Sequence, residues 1–271
     1  MSDQRSHTYQ SWRLEHDSLG DVPVPAERYW GAQTERARHR FQIGNDPIPL
    51  ELIHAIACLK RMAARTNHQL GVLDEQRCDW ISEAAQEVER GEWDGEFPLS
   101  CWQSGSGTQT NMNVNEVIAN RACELAGKPR GSREVVHPND HVNRSQSTND
   151  VFPCAIHLAA ERQQRQALLP ALRQLVNTLQ SKATTWTDVV KIGRTHLQDA
   201  VPLTVGQEVG GWAAQLKSAA ERLEQGLVEL RSIPLGGTAV GTGLGAPKGY
   251  PEAVCQQLSD CEGVEWRSDG N

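Results

Sequence analysis

Apolar residues recur at helical spacing along most of the chain, and their phase marks out the elements. Leu52, Ile53, Ile56, Leu59 and Met62 fall roughly on one side of a helix predicted over residues 51–70. In a second, over 74–90, Trp80, Ala84 and Val88 form one row and Ile81 with Ala85 its neighbour, and Gly91 is a natural stop. A third begins near Asn113, carries Val114, Val117, Ile118 and Leu125, and ends at Gly127 ahead of Pro129. A long helical stretch then covers 150–186, interrupted or kinked at Pro170. After a loop over 195–202 a second long stretch covers 204–232. There Trp212, Leu216, Ala219, Leu223, Leu227 and Leu230 alternate in steps of four and three, a seam of the bundle or coiled-coil kind.

Elsewhere the period fails. The first fifty residues hold none that is sustained, and Asp21-Val22-Pro23-Val24-Pro25 and Asn45-Asp46-Pro47-Ile48-Pro49 read as extended or turn-rich arms, because a proline biases its predecessor away from helix. The tail over 263–271 is polar and patternless. Two long helices cannot bury their stripes against each other alone, so further helices, partner chains or both must cover them. The expected organisation is a mainly α chain, with a small helical N-terminal domain at 1–146 and the first long helices of a central bundle at 147–271.

Composition narrows the partners. Hydrophobic residues are 38% and mean hydropathy is −0.54, values shared by half-wet long helices and by disorder. Eight tryptophans and the helical period favour the first. A net charge of −7 argues against a nucleic-acid or anionic-membrane surface, and no apolar run is long enough to span a bilayer. The seven cysteines are scattered and contain no CxxC pair, which fits reduced thiols in a cytoplasmic protein better than a disulfide framework or a zinc site. Asp3, Glu15 and Asp17 near the start argue against a signal or transit peptide.

Three segments crowd small donors at the mouths of predicted helices. In Gly105-Ser106-Gly107-Thr108-Gln109-Thr110-Asn111, glycines let successive N–H groups converge, while Ser106, Thr108 and Asn111 add side-chain donors to a helix N-terminus. Such a place suits a carboxylate, and equally an ordinary capped loop. Ser145-Gln146-Ser147-Thr148-Asn149-Asp150 repeats the device, with Ser147 or Asn149 as the N-cap. His137-Pro138-Asn139-Asp140 is a turn by composition, and its histidine reads as structural. In Gly193-Arg194-Thr195-His196-Leu197-Gln198-Asp199 the imidazole of His196 is a natural general acid or base among hydrogen-bonding neighbours. Arg194 either pairs with a substrate carboxylate or only with Asp199.

As a set these segments resemble the signature regions of the fumarase/aspartase superfamily, and most closely class II fumarase. Val24-Pro25-Ala26-Glu27-Arg28-Tyr29-Trp30-Gly31-Ala32-Gln33-Thr34, Phe97-Pro98-Leu99 and Leu235-Gly236-Gly237-Thr238-Ala239-Val240-Gly241-Thr242-Gly243 also read as family sequence. The likeness runs from about Trp12 to about Cys261. Aspartases have glutamine where this chain has His196, and a GAGTSTNMN-like run where it has GSGTQTNMN. The resemblance therefore implies addition of water rather than ammonia, with aspartase-type or argininosuccinate-lyase-type chemistry as the alternative.

The resemblance further implies that Ser106, Gly107 and Thr108 bind one carboxylate of a small dicarboxylate, with Ser147, Thr148 and Asn149 as further donors. Thr195 and His196 complete the site, His196 acting through a water in the acid half of the reaction. His137, Pro138, Asn139 and Asp140 match a second dicarboxylate site, although Glu134 stands where a family member has a basic residue. Fixed donors suit a carbanion whose charge spreads into the neighbouring carboxylate. No metal or cofactor is expected. The family implies a homotetramer with a central helical bundle. Members continue to a mobile loop resembling GSSxMPxKxNP that carries the base, and no such segment is present here. The expectation is a truncated chain, inactive alone or limited to associating with partner chains, whose likeness lapses from Gly263.

Overall fold

The computed structural model describes residues 11–269; Asp3, Gly270 and Asn271 lie outside them. Among the described residues the fold is mainly α. The helices are α1 (Ala32–Arg40), α2 (Leu50–Gln69), α3 (Glu75–Glu89), α4 (Thr108–Leu125), α5 (Thr148–Gln163), α6 (Leu169–Thr185), α7 (Val205–Leu230) and α8 (Tyr250–Glu262). Strands pair two by two: β1 (Trp12–Asp17) with β2 (Gly20–Pro25) and β3 (Val190–Thr195) with β4 (Gln198–Thr204), both antiparallel, and β5 (Ser232–Ile233) with β6 (Arg267–Ser268), parallel.

The chain divides into two compact units, one of residues 1–159 with 232–271 and one of 160–231. This compact division cuts elsewhere than the 146/147 boundary read from the sequence. The reason is local. Asp150, in the first turn of α5, accepts the backbone N–H of Gly236 and of Thr238, each at 3.0 Å, and so ties the returning segment into the first unit.

In that unit α2 is the central helix. Ile53, Ile56, Leu59 and Met62 are fully buried, as are the small Ala55, Ala57, Cys58 and Ala63 between them. Small residues let α3, α4 and α8 all approach it. Helix α3 buries Ile81, Ala84, Ala85 and Val88, and Asp74 caps it by accepting Arg77 N–H at 3.0 Å.

Helix α4 starts at Thr108, ahead of the expected Asn113, because the polar run before Asn113 turns inward. Thr110, Asn111, Asn113, Asn115, Glu116 and Asn120 are all buried. Most find partners: Asn113 Nδ2 donates to Glu96 O, and Asn120 bridges Tyr29 O and Gly131 N–H. The carboxylate of Glu116 accepts from the N–H groups of Gly31, Gln33 and Thr34 and from the Thr34 hydroxyl. It thus caps α1, whose own cap, Gly31, has no side chain. Burial pushes the Glu116 carboxyl up, against the Thr34 hydrogen bond.

At the start of the chain one expectation holds and one is corrected, and the tail is corrected as well. The arm at 21–25 is strand β2, with Val22 and Val24 buried, and α1 follows it where no helix was expected. The tail, expected to be patternless, packs as far as it is described. Trp266 is buried, its backbone N–H donates to Ser259 Oγ at 2.8 Å, and the backbone N–H of Asp269 donates to Ile233 O.

The second unit is a helical pair, α6 and α7, with the β3–β4 hairpin. At Pro170 the backbone stays helical through Leu168 and Leu169, and the interruption expected there is a π-helical turn, Gln164–Leu168, within a continuous helix. Leu169, Ala220 and Leu227 form a small core with Leu172, Leu223 and Leu230. Leu216 and Ala219 of the expected seam are half-buried, and Trp212 is 51% exposed. The region 195–202, expected as a loop, is hairpin. Val190, Ile192, Val201 and Leu203 supply the β-favouring positions, and His196 and Leu197 form the two-residue turn with φ of 47° and 61°. Thr204 and Gln207 close a reciprocal cap on α7.

Candidate active site

The first two donor-rich segments lie in the first unit, at the starts of α4 and α5. Gly107 caps α4 with φ 71°, a left-handed conformation, and its α-carbon faces Phe152 of α5 so closely that a Cβ would lie 2.4 Å from the ring. Only glycine fits that place. Ser106 and Thr108, both exposed, have their hydroxyls 2.9 Å apart. Thr108 also lines a cavity of about 170 Å³ with Gln109, Met112, Arg36 and Arg40. A larger cleft, about 720 Å³, is lined by Arg38, His39, Gln103 and Gln109 and by none of the expected site residues.

Ser147 is the N-cap of α5: its Oγ accepts Asn149 N–H at 3.2 Å, while Asp150 Oδ1 accepts Ser147 N–H at 2.9 Å. Thr148 is buried and Asn149 exposed, and Asn149 Nδ2 donates to Ala239 O. The two segments meet through Asn111, whose Nδ2 donates to Thr148 Oγ1 at 2.9 Å. Ser106–Thr108 and Ser147–Asn149 are therefore neighbours at two helix N-termini, a pairing that favours an anion.

Beneath them lies a group that sequence reasoning missed. Lys60 of α2 is fully buried, and its Nζ donates to Asn143 Oδ1 at 2.7 Å and to Gln146 Oε1 at 3.0 Å. Asn143 Oδ1 also receives Asn111 Nδ2 and Asn115 Nδ2, each at 3.3 Å. Burial brings the Lys60 ammonium down to about 7, against the attraction of Asp150. Burial likewise raises the Asp150 carboxyl, although three backbone N–H groups and Lys60 oppose it. The signal was legible: a lysine stands inside the run Ala57-Cys58-Leu59-Lys60-Arg61-Met62, on a helix otherwise read as core.

His137 caps the π-helical turn Pro138–Val142. Its Nδ1 accepts the N–H of Asn139 at 3.3 Å and of Asp140 at 3.2 Å. Desolvation, with Arg133 nearby, lowers its pKa despite Asp140. The same Nδ1 lies 3.2 Å from Asp140 Oδ2, so the imidazole sits over the first turn as its cap. Asn139 and Asp140 are exposed and Pro138 is buried.

Thr195 and His196 belong to the second unit, at the tip of the β3–β4 hairpin, both exposed. Arg194 Nε lies 3.5 Å from Asp199 Oδ1 across the hairpin, with both side chains exposed.

Known proteins share this sequence and fold. Class II fumarate hydratase of Thermosynechococcus vestitus is 54% identical over 259 residues, 96% of this chain and 56% of its own length. The Myxococcus xanthus enzyme of the same name is 55% identical over 251 residues. The crystal structure of class II fumarase from Schistosoma mansoni superposes with a TM-score of 0.90 at 46% identity, covering 93% of this chain and 53% of that one. A fumarate lyase:delta crystallin structure from Brucella melitensis gives 0.92 at 42% identity. The chain spans little more than half the length of the curated relatives it matches. A family profile described as lyase matches residues 20–270, so the likeness continues past Gly263, where the sequence reading let it lapse. On that match, and on relatives above 50% identity along nearly the whole chain, the protein belongs to the lyase family and stands among the relatives of class II fumarases.

Proposed function

We propose that this chain supplies the carboxylate-binding portion of a class II fumarate hydratase, which adds water reversibly to fumarate to give malate. The observation that carries the reading is the Asn111–Thr148 hydrogen bond. It brings the donors of Ser106–Thr108 beside those of Ser147–Asn149 at two helix N-termini. Ser106, Gly107, Thr108, Ser147, Thr148 and Asn149 grip one carboxylate, and their N–H and hydroxyl groups stabilise the charge that develops as a carbanion forms beside it. His196, presented at a hairpin tip with Thr195, acts through a water on the departing or entering hydroxyl. A homotetramer is the assembly this reading implies, and the α7 seam, only partly covered by α6 in its own unit, supports it. A cytoplasmic setting is part of the same reading, and the seven unbridged thiols are compatible with it. The boundary near residue 147 is one between domains of the assembled enzyme. His137, Pro138, Asn139 and Asp140 remain the second-site candidates, with Asn139 and Asp140 the outward-facing pair.

The test supplies the chain, alone and mixed with the complementary C-terminal portion of a class II relative, with fumarate. Loss of its ultraviolet absorbance is followed together with malate formation. The expected result is hydration by the mixture, abolished by His196→Asn and weakened mainly in KM by Ser106→Ala. Deamination of aspartate in place of hydration assigns the aspartase-type reading. Turnover of neither substrate, by a mixture that co-elutes, leaves a chain that only associates.

A further inference from the structure

Away from the donor segments, the C-terminal end of α8 meets α2 through sulfur. Cys58 of α2 is fully buried, and Cys261 of α8 is exposed. Their Sγ atoms and a carboxylate oxygen of Glu262 all lie within 4.8 Å of one another. Arg61, one helical turn from Cys58 and itself buried, donates from Nη2 to Cys261 Sγ at 3.4 Å, across 200 positions of sequence. The same guanidinium is braced by Glu89 Oε2, at 2.6 Å from Nη2 and 3.1 Å from Nε.

This arrangement is that of a nucleophilic thiol beside a resolving thiol. A thiolate is the reactive form, and a neighbouring cation stabilises it. The hydrogen bond from Cys58, joined by the charge of Arg61, lowers the Cys261 pKa against desolvation and the repulsion of Glu262. The other cysteines lack this setting. Cys78, Cys154 and Cys255 are buried, and burial pushes each thiol up. Glu262 makes a third candidate ligand, so a soft metal ion is the competing occupant. The Arg61 guanidinium at hydrogen-bond distance from the sulfur disfavours it, since it occupies the thiolate's face and repels a cation.

We propose that Cys58 and Cys261 form a peroxide-responsive thiol pair that closes to a disulfide joining α2 to α8. The Cys261 thiolate attacks one oxygen of hydrogen peroxide and breaks the O–O bond. Sulfur is oxidised to sulfenic acid, and hydroxide leaves and takes a proton. The Cys58 thiol, losing its proton, then attacks the sulfenic sulfur. The S–S bond forms as water leaves, so two thiols and one peroxide give one disulfide and two waters. A low-molecular-weight dithiol reverses it. Because the exposed sulfur reacts first and the buried one is already beside it, intramolecular closure outruns further oxidation.

The test treats the folded 271-residue chain with a small excess of hydrogen peroxide and counts thiols after denaturation. The expected result is a fall from seven thiols to five, restored by dithiothreitol, with the intact mass lower by two hydrogens. Trypsin leaves Cys255 and Cys261 on one peptide, so fragmentation of the cross-linked pair, or the Cys255→Ser variant, must place the bridge at Cys261. Cys58→Ser should stop at a sulfenic acid that dimedone traps. Arg61→Gln should slow the reaction about tenfold near neutral pH. The proposal fails if all seven thiols survive, if the bridge involves Cys255, or if Cys58→Ser loses thiols as the parent does. It also fails if one equivalent of zinc binds and protects both cysteines from peroxide.

Discussion

Asp150 and Gly236 are joined across 86 positions of sequence by a hydrogen bond of 3.0 Å from the Gly236 N–H to Oδ2. The same oxygen accepts from Thr238 N–H, and Oδ1 accepts from Ser147 N–H. One buried carboxylate thus caps the start of α5 and fixes the return of the chain from the second unit. Asp150→Asn replaces one acceptor with a donor and leaves at least one backbone N–H facing an N–H group. The expected loss is about 1–3 kcal/mol of folding stability in urea titrations. A change within about 0.5 kcal/mol would mean that the carboxylate is not the fastener described.

Lys60 makes stability depend on pH, and the sign can be derived. Its pKa falls from 10.5 in the unfolded chain to about 7 when folded, because burial penalises the charge more than Asp150 favours it. Between these values the unfolded chain holds a proton that the folded chain lacks. Stability from this group therefore rises with pH across that window, and below it the cost of the buried charge is complete. Relative to Lys60→Met, the parent chain should gain up to about 2 kcal/mol between roughly pH 7 and 9. Paired denaturation curves at several pH values give the difference directly, and a flat difference would contradict the buried charge.

Gly107 is held by two separate constraints, and substitutions can part them. Gly107→Ala meets both the left-handed φ and the Phe152 ring 2.4 Å from the new Cβ. The expected destabilisation is about 2–5 kcal/mol, from backbone strain of roughly 1–2 and overpacking of roughly 1–3. Shortening the ring with Phe152→Leu should recover the packing part and leave the backbone part. Full additivity of the two substitutions would show that the ring is not the obstacle.

Helices with continuous apolar stripes were legible in the sequence: α2 and α3 lie within a residue of their expected bounds. The start of α4 was not, because Thr108 to Asn113 looks like loop when polarity is taken as exposure. Here Asn111 and Asn113 are buried, with their Nδ2 groups donating to Thr148 Oγ1 and Glu96 O, partners that only the fold brings near. The β3–β4 hairpin was hidden for another reason. Its turn is built from His196 and Leu197, without the glycine or asparagine that announces such a turn. The donor segments stood out as clusters, and the contact between the first two did not, since nothing in the spacing of Asn111 and Thr148 predicts that they touch. Lys60 was overlooked because its neighbours read as core.

That hairpin turn is itself a test. Two successive non-glycine residues at positive φ each cost about 1–2 kcal/mol, and Leu197, 96% exposed, regains nothing by packing in its own unit. Leu197→Gly should therefore raise the stability of the second unit by about 1 kcal/mol, seen as later loss of helical circular dichroism on heating. A loss of stability would mean that the leucine side chain is covered in solution.

The second unit also predicts how the chain behaves at concentration. Along α7 only Val209, Ala213, Ala220 and Leu227, besides Gly206, are buried, while Trp212 and Val228 are each about half exposed, and Leu168, Leu175 and Ile192 of the same unit are similarly wet. A core of Leu169, Ala220 and Leu227, flanked by Leu172, Leu223 and Leu230, cannot hold two long helices by itself, because burial of apolar area contributes only about 25 cal/mol per Å² against the ordering of every residue. The apolar seam repeats along α7, so its best cover is the same seam on a second copy, which buries matching stripes on both. Light scattering should therefore give a mass that is a multiple of 29.9 kDa and falls on dilution. Trp212→Glu with Val228→Glu places like charges on both partners of such a contact, and should shift the chain towards monomer while the first unit keeps its helical signal. A parent chain that is monomeric at all concentrations, with α6 and α7 protected from hydrogen exchange, would show that the pair needs no partner.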